Sequence, residues 1–269
     1  MPAVHIHQDR ASSARRWIER WDHQQEAFRP ERQSQFTAMI DVVEEVAGRP
    51  DPLVVDLGSG PGPIGVRLLE RLPRATVVSV DADPLLIDLG RSAYGTLPGL
   101  RFVDTDLRDP IWPERLELSR PADAIVSATA LHWLDPAVLV EVYAAAARLL
   151  RPGGILLNGD ELPRDRSAEP VLAGIERALH VRQRARLSMP DGAGAWHEWW
   201  DEVSRDPLFA TAVADARRRG YDSRNHADLS ADVATNLAAL RTAGFTEIGT
   251  IWQRGEDRLL CAVAAPRTS

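Results

Sequence analysis

From about Asp51 onward, short and almost wholly apolar runs alternate with stretches of helical period, and this alternation restricts the chain to few architectures. Leu53-Val54-Val55-Asp56-Leu57, Thr76 to Val80, Leu100 to Val103, Ala124 to Val126 and Ile155-Leu156-Leu157 read as strands. Ile64 to Leu72, Leu85 to Ala93 and Ala137 to Leu150 read as the helices that join them. Strands apolar on both faces need cover on both sides. Parallel pairing with right-handed crossovers supplies it, so the predicted class is α/β with a doubly wound, mostly parallel sheet.

Two segments break the rhythm. Before Pro50 the pattern is helical: Trp17, Ile18, Trp21, Gln25 and Phe28 share one face, and Phe36, Met39, Ile40, Val43 and Ala47 another. Between Glu161 and Asp228 no strand is predicted; helices are expected at Val171 to Arg186, Trp196 to Arg205 and Leu208 to Arg219. The rhythm then returns with a helix from Leu229 to Ala243, stopped by Gly244, and two strands, Thr246 to Gln253 and Arg258 to Ala264. The expected layout is an N-terminal helical lid (1–50), a core (51–160 with 229–269) and a helical substrate cap (161–228).

Composition excludes several classes of function. The net charge of −7 gives no general attraction to nucleic acid or to anionic membranes, and neither is expected as a partner. All 32 basic residues are arginine, so Schiff-base and P-loop lysine chemistry are absent. One cysteine, Cys261, forbids an internal disulfide and a multi-cysteine zinc site; it lies in an apolar run and reads as a small core residue. His5 and His7 are too isolated to make a metal site, so no metal is expected. No apolar leader or membrane-length stretch occurs, which makes a cytoplasmic protein, monomer or homodimer, the expectation.

Asp56-Leu57-Gly58-Ser59-Gly60-Pro61-Gly62 stands where the first strand passes to the first helix. Glycines there permit a tight turn and close approach of a ligand to the backbone. Gly60 to Gly65 also fits the G-x-G-x-x-G dinucleotide pattern, so a nicotinamide cofactor is the first rival reading. Pro61 and Pro63 lack the N–H groups a pyrophosphate would use, and Asp56 places a carboxylate where phosphates would lie. S-adenosyl-L-methionine suits these residues better, since it carries no phosphate and offers a sulfonium, an ammonium, ribose hydroxyls and an adenine amine. Asp81 ends the second strand about 20 residues past the loop, the position for a carboxylate on ribose hydroxyls. Asp106 lies just past the third, near the adenine edge. Taken singly, Asp81 and Asp106 are equally well read as turn or cap residues.

VVDLGSGPG, VVSVDADP, FVDTDLRD, ADAIVSATALHWL and LLRPGGILLNGD resemble, in that order, the cofactor and core motifs of class I S-adenosylmethionine-dependent methyltransferases. AGFTEIGTIW with DRLLCAVAA resembles the family's closing helix and hairpin. The resemblance implies a seven-stranded sheet with its last strand antiparallel, Asp81 on the ribose, and Asp106 with Leu107 around adenine. Gly58, Ser59, Gly60, Gly62, Ala82 and Ser127 complete the predicted cofactor contacts. The ALHWL run and the tryptophan-rich insertion resemble the small-molecule subgroup related to trans-aconitate methyltransferase.

Methyl transfer is an in-line displacement, and a general base is needed only if the acceptor arrives protonated. His132, just past the fourth strand, is the candidate base; the alternative is that His132 and Trp133 pack the start of the next helix. Arg32 or Gln25 is placed to meet the cofactor carboxylate. Trp196, Trp199 and Trp200 share a helical face, a pattern commoner in the core of a cap than in a substrate box. The arginines at 182, 184, 186 and 217–219 are candidates to recognise an acidic substrate, though solvated helix charge is the commoner reading of such runs. The expected acceptor is a small molecule methylated on oxygen, as hydroxyl or carboxylate. The rivals are an oxidoreductase of similar fold, a non-catalytic cofactor-binding protein and a macromolecule methyltransferase. An Asn/Asp-Pro-Pro-Tyr tetrapeptide, the mark of amino-group methylation in this fold, is missing after the fourth strand.

Overall fold

The computed structural model describes residues 2–186, 192–221 and 231–266. Strands β1 (Leu53–Leu57), β2 (Thr76–Asp81), β3 (Leu100–Asp104), β4 (Ala122–Ala128) and β5 (Leu150–Glu161) alternate with helices α3 (Pro63–Arg71), α4 (Pro84–Tyr94), α5 (Trp112–Arg115) and α6 (Pro136–Leu149). Two helices, α1 (Pro2–Phe28) and α2 (Arg32–Ala47), precede them. The chain continues through α7 (Pro170–Arg186), α8 (Gly192–Val203), α9 (Ala210–Arg218), α10 (Val233–Thr242), β6 (Phe245–Arg254) and β7 (Asp257–Ala264). One seven-stranded sheet runs in the order β3-β2-β1-β4-β5-β7-β6. β7 is antiparallel to both its neighbours, and the other pairs are parallel, as expected.

The period of two explains why both faces are apolar. Val55 and Leu57 of β1 and Ile125 of β4 join one core layer with Leu139, Val142 and Tyr143 of α6 and Leu240 of α10. Their neighbours Val54, Ala124 and Val126 join the opposite layer with Met39 and Val43 of α2 and Ile64 and Leu68 of α3. β5 is far longer than the three residues predicted, because its pairing to β4 begins at Leu150 and absorbs Pro152-Gly153-Gly154 in a register shift. Cys261 is a half-buried member of β7.

A third apolar cluster is made by α1, α4, α8 and α9. Ile18 and Trp21 on the predicted face of α1 meet Leu85, Leu86 and Leu89 of α4 and Trp199, Trp200 and Val203 of α8. The Trp199 ring lies 4.8 Å from that of Trp21, and its indole N–H donates to the Trp17 carbonyl at 3.0 Å. α7 is fastened at its middle: the buried Arg258 guanidinium donates to both Glu176 oxygens at 2.6 and 2.7 Å. The segment predicted as helix from Val171 is therefore tied to β7. The predicted start of the last helix at Leu229 lies outside the described residues, as do Pro190 and the side chains of His5, His7 and Phe28. Among the described residues, no helix is long and apolar enough to cross a membrane.

Trp199 is 2% exposed, so its deletion leaves a large cavity between α1 and α8. Trp199→Ala should destabilise the protein by about 3–5 kcal/mol, measured by equilibrium denaturation.

Candidate active site

The strand order reverses between β1 and β4, and the crevice outside the carboxyl ends of the strands opens there. A cavity of about 470 Å³ occupies it. One wall is the loop after β1. Gly58 and Gly60 have positive φ values of 68° and 56°, and a Cβ on Gly58 would overlap that of Ala130 after β4. Only glycine fits where two neighbouring strand ends converge so closely. Thr129, next to Ala130, also has a positive φ, 55°, costly for a β-branched residue. Its N–H bonds the Gly159 carbonyl at 2.9 Å, fixing the chain path into the cavity.

Three carboxylates stand on this side. Asp56 is 1% exposed, lines the cavity, and has no hydrogen-bond partner for either oxygen. Burial, reinforced by nearby Asp81, pushes its pKa up to about 8. Asp81 accepts from the N–H groups of Gly60 at 2.7 Å and Asp83 at 2.9 Å; burial still holds its pKa above the usual range. Asp83 caps α4 through the N–H groups of Leu85 and Leu86. Asp106 is engaged: Arg108 donates to it at 2.7 Å and the Tyr221 hydroxyl at 2.5 Å. Burial would raise the Asp106 pKa, but these two donors bring it below the ordinary carboxylate range.

β4 and β5 are parallel neighbours, with Ala128 opposite Gly159, so the residues just past each meet at the crevice. His132 sits there on a single 3₁₀ turn, Leu131–Trp133, anchored by buried Leu131. Its Nδ1 lies 2.9 and 3.0 Å from the two Asp160 oxygens. Arg29, at the α1–α2 junction, donates to Asp160 at 2.8 Å and to Asp257 at 3.3 Å. Burial alone would raise Asp160, but the His132 ring and the Arg29 guanidinium outweigh it and hold its pKa below the usual range. Asp257 is pushed up to about 6 by burial, against the pull of Arg29.

A methyltransferase-domain family model matches residues 54–154. The chain is 36% identical over 243 residues to a trans-aconitate 2-methyltransferase of Azoarcus sp., covering 78% of this chain and 90% of that protein. A shorter match, 35% identical over 118 residues, is to a trans-aconitate 2-methyltransferase of Deinococcus radiodurans; it covers 43% of this chain and 40% of that protein. The chain is a class I S-adenosylmethionine-dependent methyltransferase. An O-methyltransferase family structure from Burkholderia thailandensis shares the fold, with a TM-score of 0.56 and 21% identity over 92% of this chain and 60% of that one.

The residues fit the methyltransferase cofactor. A buried carboxylate without partners, such as Asp56, calls for a cation, and S-adenosylmethionine brings both an ammonium and a sulfonium. Asp56, Gly58, Ser59, Gly60, Asp81, Ala82, Asp106, Leu107, Arg32 and His132 all line the one cavity. Two predicted contacts do not. Ser127 points into the sheet, its hydroxyl donating to the Leu57 carbonyl at 2.8 Å. Gly62 caps α3 with φ 91°, and a Cβ there would come within 2.8 Å of the Phe102 ring, so packing requires that glycine. Arg32 is buried on the Phe36 ring and donates to Asp22 at 2.8 Å, while its Nε has no partner. Sequence reasoning missed Arg29, Asp160 and Tyr221. Asp160 closes the LLNGD run and had a strand-end position as its signal; Arg29 and Tyr221 had none.

Below about pH 8 Asp56 carries a proton, and a bound cation favours its ionised form. S-adenosylmethionine binding should therefore release up to one proton near pH 7, with the release fading above about pH 8. Calorimetry in buffers of different ionisation enthalpy measures this, and Asp56→Asn should abolish it.

Proposed function

We propose that this methyltransferase transfers the methyl group of S-adenosylmethionine to oxygen on a small-molecule acceptor, with His132 as general base. The observation that carries this reading is the His132–Asp160 contact, which occupies Nδ1 and leaves Nε2 as the only ring nitrogen free to take a proton. Bound S-adenosylmethionine supplies a methyl carbon on a sulfonium leaving group. Asp81 would accept from the ribose hydroxyls, Leu107 with Ala82 would border the adenine, and Asp56 would face the positive end. Asp106 already holds Arg108 and Tyr221, so it would meet the adenine amine only with its remaining accepting capacity.

The cofactor's carboxylate would fall to Arg32 or Gln25, both in the cavity wall. Asp22 is shared between Arg32 at 2.8 Å and Arg67 at 3.2 Å, and the Arg32 Nε has no hydrogen-bond partner, which supports this assignment. The helices of residues 1–50 and 161–228 serve as lid and cap. Trp21 from the first and Trp196 with Trp200 from the second line the cavity, while Trp199 is core, so the tryptophan face is divided between the two roles. The arginines at 217–219 are partly committed, Arg219 to Asp104 at 2.6 Å and Arg218 to Asp215.

Asp160 acts through His132 as a positioning residue: it fixes the tautomer and stabilises the imidazolium that forms. His132→Ala should lower kcat by about 10²–10⁴-fold, as for loss of a general base, with S-adenosylhomocysteine affinity unchanged. Asp160→Asn should lower kcat by roughly 10²-fold or more with KM little altered, a split that a purely structural role would not give. Steady-state kinetics and calorimetry check both.

A further inference from the structure

We infer that the acceptor is an uncharged aromatic hydroxyl compound and that polycarboxylates are excluded by the charge arrangement around His132. This rests on the methyl-transfer reading above and narrows its acceptor. Arg29 is the cation beside His132 in the cavity wall, and it is already bound to Asp160 and Asp257. Glu161 lines the same end and has no ion-pair partner among the described residues. One guanidinium thus faces three carboxylates. Turning Arg29 toward an acceptor carboxylate would leave buried Asp160 with the His132 ring as its one remaining side-chain partner, which is unfavourable. At the other end Arg32 shares Asp22 with Arg67, and on the reading above the cofactor's own carboxylate takes the capacity Arg32 has left.

The remaining walls suit a neutral ring. Trp133 lies with its ring 4.5 Å from that of His132, and Phe36, Trp196 and Trp200 complete an aromatic enclosure. Trp200 is buried in this wall, its indole N–H without a hydrogen-bond partner among the described residues. A base with Nε2 free serves a phenol, which arrives protonated; a carboxylate, already ionised at neutral pH, gains nothing from it. In the step, the acceptor O–H proton passes to Nε2 of His132 as the oxygen forms its bond to the methyl carbon. The electron pair of the broken carbon–sulfur bond stays on sulfur. The products are the methyl ether and S-adenosylhomocysteine, and the imidazolium then returns its proton to water.

The test uses the full chain with S-adenosylmethionine labelled in its methyl group. Acceptors are 2-naphthol and 2-methoxyphenol on one arm, trans-aconitate and citrate on the other. Turnover is followed as labelled product, and binding to the S-adenosylhomocysteine-loaded protein by tryptophan quenching. The expected result is that a phenol is turned over, or binds, at least about 100-fold better than either polycarboxylate. Glu161→Gln should then tighten trans-aconitate binding about tenfold by removing one carboxylate from the wall beside His132. Polycarboxylate turnover or binding equal to that of both phenols, no phenol binding, or trans-aconitate binding unmoved by Glu161→Gln would each overturn the inference. Failure to bind S-adenosylhomocysteine at all would instead overturn the methyl-transfer reading on which it rests.

Discussion

An ionised carboxylate taken out of water costs several kcal/mol unless charge and hydrogen bonds replace its hydration. Asp160, 1% exposed at the end of β5, meets that condition through Arg29, the His132 ring and the N–H of Glu161. Much of the cavity results from keeping this group charged. Arg29 sits where α1 turns into α2, so that junction is pinned at the carboxyl end of β5 while α2 itself packs on a face of the sheet. His132 must present Nδ1 inward, which decides the direction its other nitrogen faces. Removing either partner would weaken the compensation of a buried charge, so the N-terminal helices and the His132 turn are held by the same carboxylate.

The negative charges of the crevice fall into two groups that behave differently. Asp56 and Asp81 are buried with too little positive charge nearby, and both are raised above their ordinary pKa. Asp106 and Asp160 are matched by cations or hydroxyl donors and lie below it. The raised pair lies by the glycine loop after β1, and the lowered pair lines the same cavity.

Much of this was legible in the sequence because parallel strands impose a simple rule: the residues just past their carboxyl ends share one crevice. The rule located Asp56, Gly58, Asp81, Asp106 and His132. It does not tell which way a strand residue faces at its last pleat, and Ser127 faces the sheet instead. Nor does it separate glycines needed by a ligand from those needed by packing, and Gly62 belongs to Phe102. Arg29 was invisible because its partner Asp160 is 131 positions away, brought near only by the seating of α1 and α2. The tryptophan face of α8 was readable as a face, but not its division between core and cavity, which depends on where α1 crosses it.

The two arginines on Asp22 have a further effect. Arg32 and Arg67 repel one another in the empty protein, and burial of Arg32 holds its pKa below its usual value. The fold brings these like charges together before any ligand arrives, joining α1, α2 and α3 through a single carboxylate. An anion placed beside Arg32 would relieve a repulsion that the fold carries at the expense of its own stability. At this point tight binding and a stable unliganded state are opposed. A change that calmed the cluster would make a sturdier protein with a weaker pull on anions there.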